Sequence, residues 1–402
     1  VVGIAIDVGG RTSHTAIVAR SLGIPAVVGL KEVSSLVRAG EPIVVDGNRG
    51  RVVVKPDADT EKAYARTKRE YDSYRRSLER STHLPAETLD GHRIRLFGNI
   101  ERPADARAVA KNGGDGVGLF RTEFLFTDPR RPPTEDEHYS AYRETAENLD
   151  GQPLVIRTLD VGGDKILADP ALEMERNPFM GLRSLRYCLV RPEIFVPQLK
   201  AILRAADHGD VRIMFPMVST VEEIRRAKDM LEEARSELRR ERRSFRADVP
   251  VGVMVETPSA ALSADLLARE VQFFSVGTND LIQYALAVDR GNERVANLYQ
   301  PAHPAILRLL SDIIRTGVEH DIDVAVCGEI CGEPIYTMML LGMGLRELSL
   351  APSMIPEIKK VIRSITMERA AEVARTAISM VEAAQTEKFL HASLRQVLPM
   401  IF

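Results

Sequence analysis

Cysteine is scarce, with Cys188, Cys327 and Cys331 the three in 402 residues. So few thiols in so long a chain exclude a disulfide framework and read as reduced, cytoplasmic cysteines. No apolar run approaches the ~18 residues that a membrane-spanning helix needs, and no signal peptide is expected. Excess charge is lacking as well. The chain has 54 basic against 57 acidic side chains, a formal net charge of −3, which gives no support to a nucleic-acid partner. What is present is a soluble balance, 45% hydrophobic and 28% charged, able to fill a large core in two or three structural units.

Three zones separate by composition. Residues 1–56 are rich in Gly and Val, with short strands expected at "PAVVG", "EPIVVDG" and "GRVVVKP". Residues 57–84 are charged and free of Gly. Tyr64, Tyr71, Tyr74 and Leu78 recur there at heptad-like spacing, which predicts one amphipathic helix. Such a helix is either a spacer between two units or a surface helix packed on one of them. Residues 85–402 alternate short apolar runs with helical patterns. Eight runs are counted: "IRLFGN", "GVGLF", "PLVIRTLD", a weak one at "FMGL", "VRIMFPM", "VGVMVE", "FFSVG" and "VAVCGE". Apolar runs separated by helices indicate parallel strands with helical crossovers, and eight of them indicate an α/β fold of the (β/α)8 TIM-barrel type. The tail from about residue 367 reads as interface or packing helix.

In such a barrel the reacting groups stand at the carboxyl ends of the strands. On this count the second run ends in Arg121, the third in Arg157, and the fourth is followed by Arg183. The sixth ends in Glu256, the seventh in Asn279 and Asp280 with Arg290 shortly after, and the eighth in Cys327. Guanidinium forks match phosphate and carboxylate oxygens, and converging arginines would be costly without an anion between them. Glu256 and Asp280 supply the minimum of hard oxygen ligands for Mg²⁺. The expected ligand is a small, multiply anionic molecule together with a divalent cation.

Three residues stay open on this reading. Cys327 is either a proton donor or a small buried apolar side chain. Lys165 in "GGDK" either reaches a phosphate or is a surface lysine after a turn. His14 also has two readings. After Thr12 and Ser13 it sits in a helix-capping region, and the same helix N-terminus would favour a phosphoryl group carried on its ring.

The stretches "GGRTSHTAIVARSLGIPAVVG", "GVGLFRTEFLF", "IRTLDVGGDK", "NPFMGLRSLR", "GVMVETPSA", "FFSVGTNDLIQYALAVDRGN" and "CGE" occur in this order along the chain. With them the sequence closely resembles the Enzyme I family of the bacterial phosphotransferase system, the phosphoenolpyruvate–protein phosphotransferases. The resemblance implies that phosphoenolpyruvate binds with Mg²⁺ in the barrel and that its phosphoryl group passes to a histidine on a swivelling domain. Pyruvate leaves, and the phosphohistidine serves the carrier protein HPr. Matched by motif, His14 would be the phosphorylated histidine. Arg121, Arg157, Asn279, Asp280 and Arg290 would bind phosphoenolpyruvate, with Arg183 near its phosphate. Glu256 and Asp280 would hold Mg²⁺, and Cys327 would protonate the enolate carbon. Pyruvate phosphate dikinase and phosphoenolpyruvate synthase look similar but carry a nucleotide-binding domain.

The resemblance also implies a homodimer formed through the barrel. Family members have a longer N-terminal part, including the HPr-docking subdomain, whereas this chain opens just before the histidine segment. The expected division is therefore a partial swivelling phosphohistidine domain at 1–56, a linker helix at 57–84 and a phosphoenolpyruvate-binding barrel at 85–402. The alternative to an enzyme is a dimerising regulatory form that binds phosphoenolpyruvate and passes no phosphate on.

Overall fold

The computed structural model describes residues 1–9, 15, 19, 23–126, 131–161, 177–292 and 294–399; His14 and Lys165 lie outside them. Near the N-terminus, β1 (Ile4–Ala5) pairs in parallel with β2 (Ala26–Val27), and β3 (Ile43–Asp46) pairs antiparallel with β4 (Arg51–Val54). The helix Ala58–Glu79 follows, its N-cap Asp57 accepting a hydrogen bond from the Thr60 N–H at 2.8 Å. Leu78 is the buried residue of its predicted seam, and Tyr71 is 45% exposed.

Eight parallel strands then close into a barrel. They are β5 (Arg95–Ile100), β6 (Val117–Phe120), β7 (Leu154–Arg157), β8 (Val211–Phe215), β9 (Val251–Val255), β10 (Phe273–Val276), β11 (Asp323–Val326) and β12 (Glu347–Leu350). β12 closes the ring against β5, with Glu347 opposite Arg95 and Leu350 opposite Gly98. Strands covered on both faces must be apolar nearly throughout, and β6, β7, β9, β10 and β12 are buried at every position. One buried cluster fills the space between strands and helices. A second, made of Leu119, Val155, Met214, Met254, Phe273 and Cys327, plugs the inside of the ring. Gly252 makes room for that plug, since a Cβ there would stand 2.4 Å from the Phe273 ring.

The barrel agrees with the sequence reading, but one strand was misassigned. "FMGL" forms no strand. Pro178 fixes the backbone at the start of a 3-10 turn, Pro178–Met180, whose Phe179 and Met180 are exposed. The eighth strand is instead "ELSL" at 347–350. Its pattern is broken by Glu347 and Ser349, both buried, and it holds because partners from distant segments satisfy them. Arg95 pairs with Glu347, and the Ser349 hydroxyl donates to Asn99 Oδ1 at 2.6 Å. Hence Arg183 is not at a strand end. It caps the helix Ser184–Val190 in the connection from β7 to β8. Cys327 ends the seventh strand of the ring, not the eighth.

The tail forms the helices Met367–Ser379 and Ala383–Val397, burying Val373, Ala377, Leu390 and Leu394. The helix Pro334–Gly342 packs closely on the first of them. A Cβ on Gly342 would stand 2.0 Å from the Ala370 carbonyl oxygen.

Candidate active site

The carboxyl ends of β6, β7, β9, β10 and β11 carry Arg121, Arg157, Glu256, Asn279 with Asp280, and Cys327, each within a few residues of the last strand position. Two buried arginines lie at the centre. Arg157 Nη1 is 2.6 Å from Asp160 Oδ2, and its Nη2 is 3.0 Å from Glu123 Oε1. Arg183 Nη2 is 3.4 Å from Asp160 Oδ1 and 3.6 Å from Asp280 Oδ2. Asp160 thus bridges the two guanidiniums, and it also accepts from the Ser184 hydroxyl. Ser184 reaches it from a left-handed backbone (φ 52), with its N–H bonded to the Val161 carbonyl at 3.0 Å. Tyr284 OH accepts from Arg183 Nη1 at 3.3 Å, and the Phe179 ring lies 5.3 Å from the same guanidinium.

A second group sits beside it. Arg290 Nη1 and Asn279 Nδ2 both reach Glu329 Oε1, at 3.0 and 3.2 Å, while Asn279 Oδ1 accepts from the Glu329 N–H. Gln283 Nε2 holds Asp280 Oδ1 at 2.9 Å, and its Oε1 accepts from the Arg290 N–H. Arg121 stands at the rim, 3.0 Å from Glu101.

Glu256 is 2% exposed, and its Oε1 accepts from the N–H of Met217, itself held in a left-handed backbone (φ 55). Burial raises its carboxyl well above the ordinary value, and Asp160 and Asp280 push the same way against Arg157. Burial also raises Glu123. Burial opposes ionisation of Asp160 too, but Arg157 and Arg183 outweigh it and hold that carboxyl below its usual range. Burial pushes the Cys327 thiol up to about 11, so it stays protonated at neutral pH. Its Sγ donates to the Val276 carbonyl at 3.5 Å, and Asn99 Nδ2 holds its own carbonyl at 2.9 Å.

The electrostatic picture differs from the sequence expectation in one respect. Arg121, Arg157, Arg183 and Arg290 do not await an anion unaccompanied, because each has a carboxylate partner. Among the described residues four guanidiniums meet six carboxylates: Glu101, Glu123, Asp160, Glu256, Asp280 and Glu329. Burial opposes ionisation of two of the six, Glu123 and Glu256. Glu123, Asp160 and Glu329 escaped the sequence reading, although each lies two or three residues after a residue it had singled out. Among the described residues no three His, Cys, Asp or Glu side chains could hold a metal by themselves. Glu256 and Asp280 are nevertheless hard oxygen donors, in the one or two that Mg²⁺ commonly takes from protein, and the raised Glu256 carboxyl marks where a cation would relieve repulsion. Arg157 Nε and Arg183 Nε are buried without an acceptor among the described residues. A cavity of about 400 Å³ lined by Thr82, His83, Arg93, Gly113, Asp115 and Lys359 lies at the amino ends of β5 and β6, away from this mouth.

Residues 75–367 match the family model of the PEP-binding domain of PEP-utilising enzymes, and residues 1–50 match the model of their mobile domain. The chain is similar to phosphoenolpyruvate-protein phosphotransferases of known sequence. It is 44% identical to that of Haemophilus influenzae over 98% of this chain and 68% of the relative. It is 46% identical to that of Priestia megaterium over 90% of this chain and 64% of the relative. It is 44% identical to that of Geobacillus stearothermophilus over 96% and 67%. The chain thus spans about two thirds of the length of these relatives.

Proposed function

The chain belongs to the phosphoenolpyruvate-protein phosphotransferase family of PEP-utilising enzymes, and from that premise we propose that it moves the phosphoryl group of phosphoenolpyruvate onto His14. From His14 the group goes to HPr, the first step of sugar transport by the phosphotransferase system. The proposed division is a phosphohistidine unit at 1–56, a linker helix at 57–84 and a barrel at 85–402 that binds phosphoenolpyruvate and pairs two chains in the cytoplasm.

One observation carries the reading of the mouth: the buried Glu256 carboxyl, raised by its burial and by Asp160 and Asp280 beside it. A multiply anionic substrate would add to that repulsion, and a divalent cation held there would relieve it. Glu256 and Asp280 are the residues that would hold Mg²⁺, which when bound would offset negative charge on the substrate oxygens.

The chain's own residues do the rest. Arg121, Arg157, Asn279 and Arg290 bind the anion, and Asp280 contributes to the same contact. Arg183 faces the phosphate, where negative charge spreads over the departing phosphoryl oxygens. The bond between phosphorus and the enol oxygen breaks as one forms to the His14 imidazole. The electron pair left on oxygen becomes an enolate, whose carbon takes the proton of the Cys327 thiol. Water then restores that proton. A thiol with a raised pKa suits the task, because it is protonated when the enolate needs it.

The test is the intact mass of the chain after incubation with phosphoenolpyruvate and Mg²⁺, with pyruvate assayed in parallel. An acid-labile phosphoryl adduct, absent in His14→Ala, is the expected result. Phosphoenolpyruvate binding with no adduct would instead favour the regulatory, non-transferring form.

A further inference from the structure

Gln198 is a polar side chain in an apolar place. It lies on the helix Pro192–Ala205 among Phe195, Leu199 and Ile202, and it is 1% exposed. Burying an amide is costly unless its donors and acceptor are all matched, and here they are. Oε1 accepts from the Leu159 N–H at 3.0 Å. Nε2 donates to Thr122 Oγ1 at 3.2 Å and to Tyr142 OH at 3.0 Å.

These bonds have a direction. Thr122 Oγ1 receives from Gln198 and donates its own proton to the Arg157 carbonyl at 3.0 Å. Tyr142 OH receives from Gln198 and shares a hydrogen bond with His138 Nδ1, 2.8 Å away. His138 is neutral, since a buried charge there would have no counter-ion beside it among the described residues. Its full burial is consistent with this, since it pushes the imidazole down to about 3. Reversing the amide of Gln198 would place N–H against N–H at Leu159, so a single orientation satisfies the set.

The two chain segments tied by this amide are the ones that matter at the mouth. Thr122 follows Arg121 at the end of β6. Leu159 lies between Arg157, the last residue of β7, and Asp160, which bridges Arg157 to Arg183. We infer that Gln198 is a positioning residue for the phosphoryl-transfer site: its amide clamps the ends of β6 and β7 and so sets the spacing of Arg121 against Arg157 and Asp160. The inference rests on the reading of this mouth as the phosphoenolpyruvate site. Gln198 touches no substrate and acts through Thr122 and Leu159. Displacements near 1 Å in such groups cost up to about a hundredfold in rate, which is the scale on which the clamp acts.

The experiment uses the full chain, with calorimetric binding of phosphoenolpyruvate in Mg²⁺, the rate of phosphoryl transfer, and thermal melting to verify the fold. Thr122→Val removes the hydroxyl that joins Gln198 to Arg157. It is expected to weaken binding about tenfold and to slow transfer further, while Thr122→Ser restores both. Gln198→Glu gives a signature that a mere packing role would not. Protonated, the buried acid still donates to one neighbour; ionised, it donates to none. Transfer by this variant should therefore decline between about pH 5 and 8 beyond any decline in the unaltered chain. Folded Thr122→Val and Gln198→Glu chains that bind and transfer as the unaltered chain does, at every pH, would overturn the clamp. So would variants that lose melting temperature alone. An unaltered chain that takes up no phosphoenolpyruvate would overturn the reading of the mouth and the clamp with it, and that result appears before any substitution is made.

Discussion

Glu256→Gln should make the chain more stable when divalent cations are chelated. The glutamine keeps the volume and the oxygen that accepts from the Met217 N–H at 2.6 Å, so packing is retained. What it removes is a buried negative charge facing Asp160 and Asp280. The expected gain at pH 8 is about 1–2 kcal/mol, the usual size for relief of one buried conflict, or roughly 1–2 °C in melting temperature for a chain of this length. The sign with pH follows from proton linkage. The folded-state pKa of Glu256 is raised, so the folded chain binds more protons there than the unfolded chain. The stability that this lends is complete below the ordinary value of 4.5 and is lost as pH rises through the raised one. The advantage of the variant should therefore be small near pH 5 and should grow toward pH 8. Mg²⁺ should then reverse the order. At a hundred times its dissociation constant a bound ion adds about 2.7 kcal/mol to the unaltered chain and little to the variant. Differential scanning calorimetry in chelator and in Mg²⁺, across this pH range, reads all of these. A variant less stable than the unaltered chain at pH 8 in chelator, or a gap constant with pH, would refute the reasoning.

Gly113→Ala should destabilise the fold by about 2–4 kcal/mol, measured by chemical denaturation. Its backbone is left-handed (φ 74), and a Cβ would stand 1.9 Å from the Thr82 carbonyl oxygen. Lys359→Met should cost about 1–2 kcal/mol and speed hydrogen exchange in residues 78–84. The buried ammonium holds the Thr82 and Gly113 carbonyls at 2.6 and 2.8 Å, joining the end of the long helix to the barrel. Exchange unchanged there would mean that the joint is held by packing alone. Cys327 should resist alkylation at pH 8, since only about 0.1% of a thiol pushed up to about 11 is ionised and the residue is 3% exposed. Labelling of the native chain at the rate of a free thiol, read by peptide mass, would contradict that environment.

How far the sequence could be read depended on whether a residue's environment is local. β6 and β9 were legible because a strand covered on both faces must be apolar in unbroken succession, whatever its neighbours are. β12 was not, because Glu347 is tolerated in a barrel wall only by virtue of Arg95, some 250 residues earlier, and no local pattern announces that pairing. "FMGL" misled in the opposite way. It is apolar enough for a strand, but Pro178 and Gly181 bend it into a turn whose Phe179 ring lies by the Arg183 guanidinium. The site divides along the same line. Arginines, a thiol and two acids placed just after apolar runs could be expected at one mouth, because strand ends in a closed barrel converge. The acids that balance them could not, since an acid a few residues from an arginine is commonplace on any surface. Only the ring, by burying Asp160 between Arg157 and Arg183, converts such a neighbour into a fixed charge. Gln198 extends the point: nothing in "VPQLKAILRA" separates it from an exposed polar position of an amphipathic helix. Its meaning comes from Thr122 and Leu159, which the barrel brings to either side of one amide.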